Sequence, residues 1–221
     1  ACVQMRSGVE VAPNIAAASA LIREAAGKGA KFIATPEMTN LLDIRPGMAR
    51  PKIVEQDDIP LHAFQALAAE LGVTLLIGSL AVTLESEERF ANRSFLIGPD
   101  GGVIARYDKI HMFDVEVGDG QNYRESRAYR PGEAAVLARA PFGQIGMMIC
   151  YDLRFPHLYR KLAQAGADIL TIPAAFTRVT GEAHWHVLVR ARAIETGCFV
   201  LAPAQGGKHE DGRETYGHSL I

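Results

Sequence analysis

Cysteine is scarce in this sequence: Cys2, Cys150 and Cys198 are the only three among 221 residues. Three scattered thiols exclude a disulfide framework, and the absence of any Cys-x-x-Cys removes the usual dithiol and zinc motifs. A reducing, cytoplasmic compartment is the expectation. Long apolar runs are missing too, none approaching the ~20 residues needed to span a bilayer, so no membrane partner is expected. Neither charge dominates: 23 Lys and Arg face 25 Asp and Glu, for a net charge of −2. That balance excludes nucleic acid as a partner recruited by bulk charge. Nucleotide phosphate loops are absent, because Gly206-Gly207-Lys208 is followed by His209 and no Gly-x-Gly-x-x-Gly opens a helix. No Gly-Ser-Ser-Gly-type segment is present, which excludes the serine amidases. Residues 1–6 carry no basic stretch leading into an apolar run, so no signal peptide is expected, and without an initiator Met the start is expected to lie upstream.

What is present is ordinary globular composition, with 48% hydrophobic and 22% charged residues, which rules out collagen-like, coiled-coil and disordered classes. The length suits one domain over residues 1–221. Helical spacing of Val11, Ile15, Ala18, Leu21, Ile22 and Ala25 ends at Gly27-Lys28-Gly29, and further helices are predicted near Leu61–Leu71, Pro156–Ala165 and Ala183–Thr196. Strands are predicted at Phe32–Thr35, near 73–79, 93–98, 102–108 and 144–150, and at Ile169–Ile172, Phe199–Ala202 and Tyr216–Ile221. The chain stops inside that last apolar segment, so further C-terminal strands are expected. Gly118–Arg130 is polar and aperiodic and reads as an irregular insertion.

Two segments recur. Gly29-Ala30-Lys31-Phe32-Ile33-Ala34-Thr35-Pro36 parallels Gly166-Ala167-Asp168-Ile169-Leu170-Thr171-Ile172-Pro173, and Glu70 to Leu76 parallels Glu195 to Leu201. Any α/β unit needs a glycine helix stop and an apolar strand. The sharper reading is two similar halves packed sheet to sheet with helices outside.

Cys150 ends an apolar strand and precedes Tyr-Asp-Leu-Arg-Phe-Pro and a helix. A thiol at a strand-to-helix turn has backbone N–H groups beside it, which can lower its pKa and supply an oxyanion hole. A free cysteine is otherwise most often a buried structural residue, as Cys2 and Cys198 read. A nucleophile needs a base, yet no histidine stands out, and His184 and His186 lie on different faces of their helix. That spacing also argues against a shared metal ion; neither a metal nor a cofactor is expected. Glu37 does stand out, a carboxylate at the end of a buried strand, where a charge is costly without a task or a cation. Lys109 is similarly placed, closing the strand at 103–108, where the ordinary reading of a lysine taken alone is a solvated one.

Pro-Glu-Met (36–38), Tyr-Asp-Lys-Ile-His (107–111), Ile-Cys-Tyr-Asp-Leu-Arg-Phe-Pro (149–156), Phe-Thr-x-x-Thr-Gly-x-Ala-His-Trp (176–185) and Arg-Ala-Arg-Ala-Ile-Glu (190–195) follow one another in order. Together they resemble the nitrilase, or carbon–nitrogen hydrolase, superfamily over the whole chain. The resemblance implies an α/β fold, a four-layer α-β-β-α sandwich. It implies Glu37 as general base, Cys150 as nucleophile, and Lys109 with the backbone N–H of Tyr151 as oxyanion stabilisers. Glu125 matches the family's second pocket glutamate, with Glu133 the less favoured alternative. Water then hydrolyses the thioester. Within the superfamily, Cys-Tyr-Asp-Leu-Arg-Phe-Pro is similar to the branch containing omega-amidase and deaminated glutathione amidase. The tail from Ala202 to Ser219 leans toward the second. His157 departs from the glutamate that commonly follows the proline.

The expected reaction is hydrolysis of a small carboxylate-bearing amide to acid and ammonia, with deaminated glutathione as substrate and 2-oxoglutaramate as the alternative. Arg154, one turn after Cys150, suits a bidentate substrate carboxylate, and Phe176 and Thr177 are expected beside it. Its structural alternative is an ion pair with Asp152 or a helix end. A homodimer or higher oligomer is implied, paired through the helix that carries Leu158, Leu162 and Ala165. A non-catalytic binding protein of the same fold would lack Glu37, Lys109 or Cys150, and all three are present. A redox-sensing thiol would need a resolving cysteine near Cys150, and neither Cys2 nor Cys198 has an evident place there.

Overall fold

A computed structural model describes all residues except 46, 56–58, 86 and 117–121. Helix α1 (Val11–Gly27) leads into β1 (Phe32–Ala34); β2 (Val54–Glu55) and α2 (Ile59–Leu71) precede β3 (Thr74–Thr83), β4 (Ala91–Ile97) and β5 (Val103–Asp108). A short hairpin, β6 (Asp114–Glu116) and β7 (Asn122–Arg124), is followed by β8 (Val136–Ala140), β9 (Gly143–Met147), α3 (Pro156–Gln164), β10 (Ile169–Thr171), α4 (Arg178–Thr196) and β11 (Phe199–Leu201). A second hairpin, β12 (Gly206–Lys208) and β13 (Glu214–Tyr216), completes the elements. The first sheet has the order β1-β3-β4-β5 with β2 on β3, and the second β11-β10-β9-β8.

The pleat explains the layering. In β3, Leu75 and Ile77 pack with Ala18 and Ile22 of α1 and Leu61, Phe64 and Leu67 of α2, whereas Leu76 between them joins the core shared with the second sheet. Phe95, Leu96 and Ile97 of β4 alternate in the same way, as a period of two requires. Both faces are buried, which is why these strands read as continuous apolar runs. On the far side Leu158, Leu162, Trp185 and Val189 of α3 and α4 cover the second sheet. Gly146 lets α3 approach, since a Cβ there would lie 3.3 Å from Leu162. The order is α-β-β-α.

The recurring segments occupy equivalent positions. Strand β1 pairs parallel with β3 at Ile33↔Leu75, and β10 with β11 at Leu170↔Val200, which is the same register in both halves. Leu158 and Leu162 lie on the core face of α3, 8% and 3% exposed. The expected strand Tyr216–Ile221 is instead the short β13, ending at Tyr216, plus one bridge from Leu220 to Ala202. The aperiodic stretch 118–130 is not structureless where described: β7 and a 3-10 turn at Glu125–Arg127 lie in it, while 118–121 fall outside the described residues.

Candidate active site

Glu37 follows β1, Lys109 follows β5 and Cys150 follows β9, so three strand ends from both sheets converge. Gly78 makes the convergence possible. The β3–β4 register breaks between Ile77 and Leu80, and a Cβ on Gly78 would sit 2.1 Å from the Thr35 carbonyl oxygen and 2.5 Å from Pro173. The two strand-ending prolines, one per half, thus close around a position only glycine can fill.

Lys109 Nζ donates to Glu37 Oε1 at 2.8 Å and to Glu125 Oε2 at 2.8 Å. Glu37 Oε2 accepts the backbone N–H of Ala175 at 2.9 Å, and Glu125 Oε2 that of Phe113 at 2.7 Å. Asn92 Nδ2 donates to both carboxylates, at 2.9 and 3.1 Å. Glu125 is therefore the glutamate brought onto Lys109. Glu133 lies elsewhere, 87% exposed and 3.9 Å from Arg130.

Cys150 is buried, with φ +48°, a left-handed conformation uncommon outside glycine. Its N–H donates to the Pro173 carbonyl at 2.9 Å, and its thiol and the Glu37 carboxylate line the same cavity. Burial and the charge of Glu37 push the thiol well above its ordinary range, against the opposing pull of Lys109. Burial would also raise Glu37, but the charge and hydrogen bond of Lys109, helped by Cys150 and Asn92, outweigh it and hold the carboxyl below its usual range. Burial alone would lower Lys109, yet the charges of Glu125 and Glu37 raise it. The resting pattern is a carboxylate, an ammonium and a neutral thiol.

The turn after β9 is stapled by Asp152, which is fully buried. Its carboxylate accepts from Tyr107 Oη at 2.7 Å, from His111 N at 3.0 Å and from Ile149 N at 2.9 Å, with His111 Nδ1 at 2.7 Å. Tyr107 and His111 flank Lys109, so Asp152 locks the lysine's segment to the cysteine's. Burial and Asp152 itself keep the Tyr107 phenol protonated. The Tyr151 amide stands in the first turn of the 3-10 segment Cys150–Arg154, where an N–H has no partner within the segment.

A cavity of about 570 Å³ opens over this cluster, lined among others by Glu37, Glu125, Cys150, Tyr151, Phe176 and Thr177. Phe176 is buried against Trp185, with ring centroids 5.0 Å apart. Thr177 caps α4, its Oγ1 accepting the Thr180 N–H at 3.2 Å. Arg154 is not among the lining residues. Its guanidinium lies 5.8 and 5.4 Å from the ring centroids of Tyr151 and Phe176, with Nη2 3.3 Å from His184 Nδ1, and Asp152 is engaged elsewhere. Asn92 carries no signal in the sequence, and Asp152 is read there only as a candidate partner of Arg154. Among the described residues, no three His, Cys, Asp or Glu side chains converge as metal ligands, and no helix is long and apolar enough to cross a membrane.

The carbon-nitrogen hydrolase family model matches residues 1–221, and the chain belongs to that family. It is a hydrolase acting on non-peptide carbon–nitrogen bonds, of the cysteine-dependent amidase kind. It is 42% identical to deaminated glutathione amidase of Yersinia enterocolitica over 100% of this chain and 77% of that protein. Identity to the proteins of that name from a Synechocystis strain and from Homo sapiens is 41% and 38%, again over the whole chain, covering 82% and 69% of theirs. The crystal structure of the C. elegans NitFhit protein superimposes with a TM-score of 0.90 at 34% identity, covering 99% of this chain and 53% of that one. Saccharomyces cerevisiae Nit3 gives a TM-score of 0.87 at 26% identity, covering 99% and 79%.

Proposed function

We propose that Cys150 hydrolyses the amide of a carboxylate-bearing substrate through a thioester, and that deaminated glutathione is that substrate. The observation that carries the mechanism is the Glu37 carboxylate, held at 2.8 Å by Lys109 and lining the same cavity as Cys150. Because the thiol rests neutral beside an ionised base, proton transfer accompanies attack. Sγ bonds to the amide carbon as Glu37 takes the thiol proton and the carbonyl electrons move to oxygen. The Lys109 ammonium and the Tyr151 N–H stabilise that oxyanion. The C–N bond then breaks, and the nitrogen leaves with the proton from Glu37. Water, deprotonated by Glu37, adds to the thioester; the C–S bond breaks, and Glu37 returns the proton to sulfur. Glu125 keeps Lys109 charged and in place.

The names of relatives 38–42% identical support the substrate, and a cavity of about 570 Å³ has room for a peptide-sized amide. Glutathione is a γ-glutamyl peptide, so its deaminated form carries a 2-oxo acid at one end and a glycine carboxylate at the other. Cutting the amide beside the oxo-acid arm releases an amine; ammonia leaves only from a primary amide. Cys150→Ala should abolish turnover of deaminated glutathione with circular dichroism and melting unchanged, and the wild-type acyl-enzyme should appear by mass spectrometry after rapid quench. Turnover by the variant would refute the covalent route.

Residues 1–221 act as one catalytic domain in a cytoplasmic setting; the scattered free cysteines support the compartment. Homo-oligomerisation finds support in the exposed apolar side chains of Val187, Ile194 and Phe199 (69, 79 and 74%). Sedimentation velocity at micromolar concentration should show a dimer or larger, and monomer alone would overturn this.

A further inference from the structure

Five arginines line the cavity over Cys150: Arg45, Arg50, Arg124, Arg127 and Arg213. Arg45 is paired with Asp43 at 2.7 Å and Arg124 with Glu116 at 3.0 Å. Arg50 donates to the Glu88 carbonyl at 2.7 Å and lies over Phe90, and Arg127 is exposed. Arg213 differs from all of these. Among the described residues no carboxylate pairs with it, and its Nε–H is buried without an acceptor. The nearby acids are engaged elsewhere: Asp211 accepts the backbone N–H groups of Ile44 and Arg213, each at 3.0 Å, and Glu214 pairs with Arg178 at 3.1 Å. The guanidinium lies 6.0 Å from the ring centroid of Tyr123, which also lines the cavity.

The position is held in advance. Arg213 precedes β13, and its carbonyl accepts the His209 N–H at 2.8 Å. His209 is buried, with Nδ1–H donating to the Ser7 carbonyl at 2.8 Å and Nε2 accepting from Thr215 Oγ1 at 2.6 Å. The hairpin also bridges from Thr215 to Thr177. Buried donors in folded proteins are nearly always satisfied, and although the Nε–H itself has no accessible surface, Arg213 lines the cavity, where a planar guanidinium matches a carboxylate's two oxygens.

We infer that Arg213 is the specificity-determining residue that binds a carboxylate of the substrate, the role the sequence reading assigns to Arg154. The inference rests on the amidase reading of Cys150. Steady-state kinetics of Arg213→Met, Arg213→Lys and Arg154→Lys would be compared on deaminated glutathione, on its glycine carboxamide and on a neutral primary amide. Arg213→Met should raise KM for deaminated glutathione roughly 10- to 100-fold with little change in kcat and leave the neutral amide unaffected. Arg213→Lys should recover only part of the loss, because an ammonium offers no planar fork. If the carboxamide is turned over equally by wild type and Arg213→Met, the glycine carboxylate is the bound group; if it suffers the same loss, the 2-oxo acid is. Equal losses on the neutral amide, an unchanged KM, or a carboxylate-selective loss in Arg154→Lys alone would each overturn the inference. Calorimetric binding of deaminated glutathione to Cys150→Ala, weakened by adding Arg213→Met, reads the contact without chemistry. Failure of the amidase reading shows separately, as wild type that turns over no amide.

Discussion

Replacing Lys109 with methionine removes the cation that two buried carboxylates share. Lys109 is 2% exposed and touches Glu37 and Glu125 at 2.8 Å each. At an effective dielectric of about 20, each contact carries roughly 6 kcal/mol of gross attraction, offset by the desolvation of both ions. Breaking such a buried pair by deleting one partner typically costs about 3–5 kcal/mol. In the variant Glu37 and Glu125 remain joined through Asn92 Nδ2, with no cation to separate their charges. The pair then retains a proton at neutral pH, as like charges at close range do.

The sign of the pH dependence therefore inverts. In the wild type the carboxyl of Glu37 is depressed on folding, so its contribution is present above the unfolded pKa and is lost as pH falls through the folded one. In Lys109→Met the shared carboxyl is raised, so its contribution is present below the unfolded pKa and is lost as pH rises. Thermal melts should show the variant lower by roughly 6–20 °C near neutrality, with the gap narrowing toward pH 5. Turnover should fall about 100-fold or more, chiefly in kcat. Parallel Tm-versus-pH curves, or a loss confined to KM, would refute the reasoning.

Gly78→Ala should cost stability well beyond an ordinary surface change, about 3 kcal/mol or more, because backbone oxygens of Thr35 and Pro36 lie 2.1 and 2.4 Å from the added carbon; urea midpoints and activity should drop together. Asp152→Asn keeps the shape but leaves its amide facing donors from Tyr107, His111 and Ile149, at about 1–3 kcal/mol for each bond lost. Its kcat should fall with the Cys150 turn displaced, while reaction of unfolded protein with a thiol reagent stays unchanged.

The sequence by itself determined the elements whose cause is local. Apolar runs with glycine stops specified β1, β3, β10 and β11, and the recurrence of Gly29–Pro36 in Gly166–Pro173 suggested two similar halves, whose shared register only the structure shows. Glu37 drew attention as a carboxylate ending a buried strand, whereas Lys109 and Cys150 gained meaning only together with it, in the order of the family's blocks. Glu125 was legible only through the family's pattern, since nothing local separates it from Glu133. What the tertiary structure alone decided depends on contacts between distant segments. Asn92 sits near the start of β4, and its link to two carboxylates exists only after β4 lies beside β5. That Thr177 both lines the cavity and caps α4 depends on where the helix starts relative to the site. Arg154 and Arg213 are both plausible anion binders by residue type. Which of them faces the cavity follows from how the 206–216 hairpin folds across the site, through His209 to Ser7 and Thr215, and no spacing along the chain encodes that.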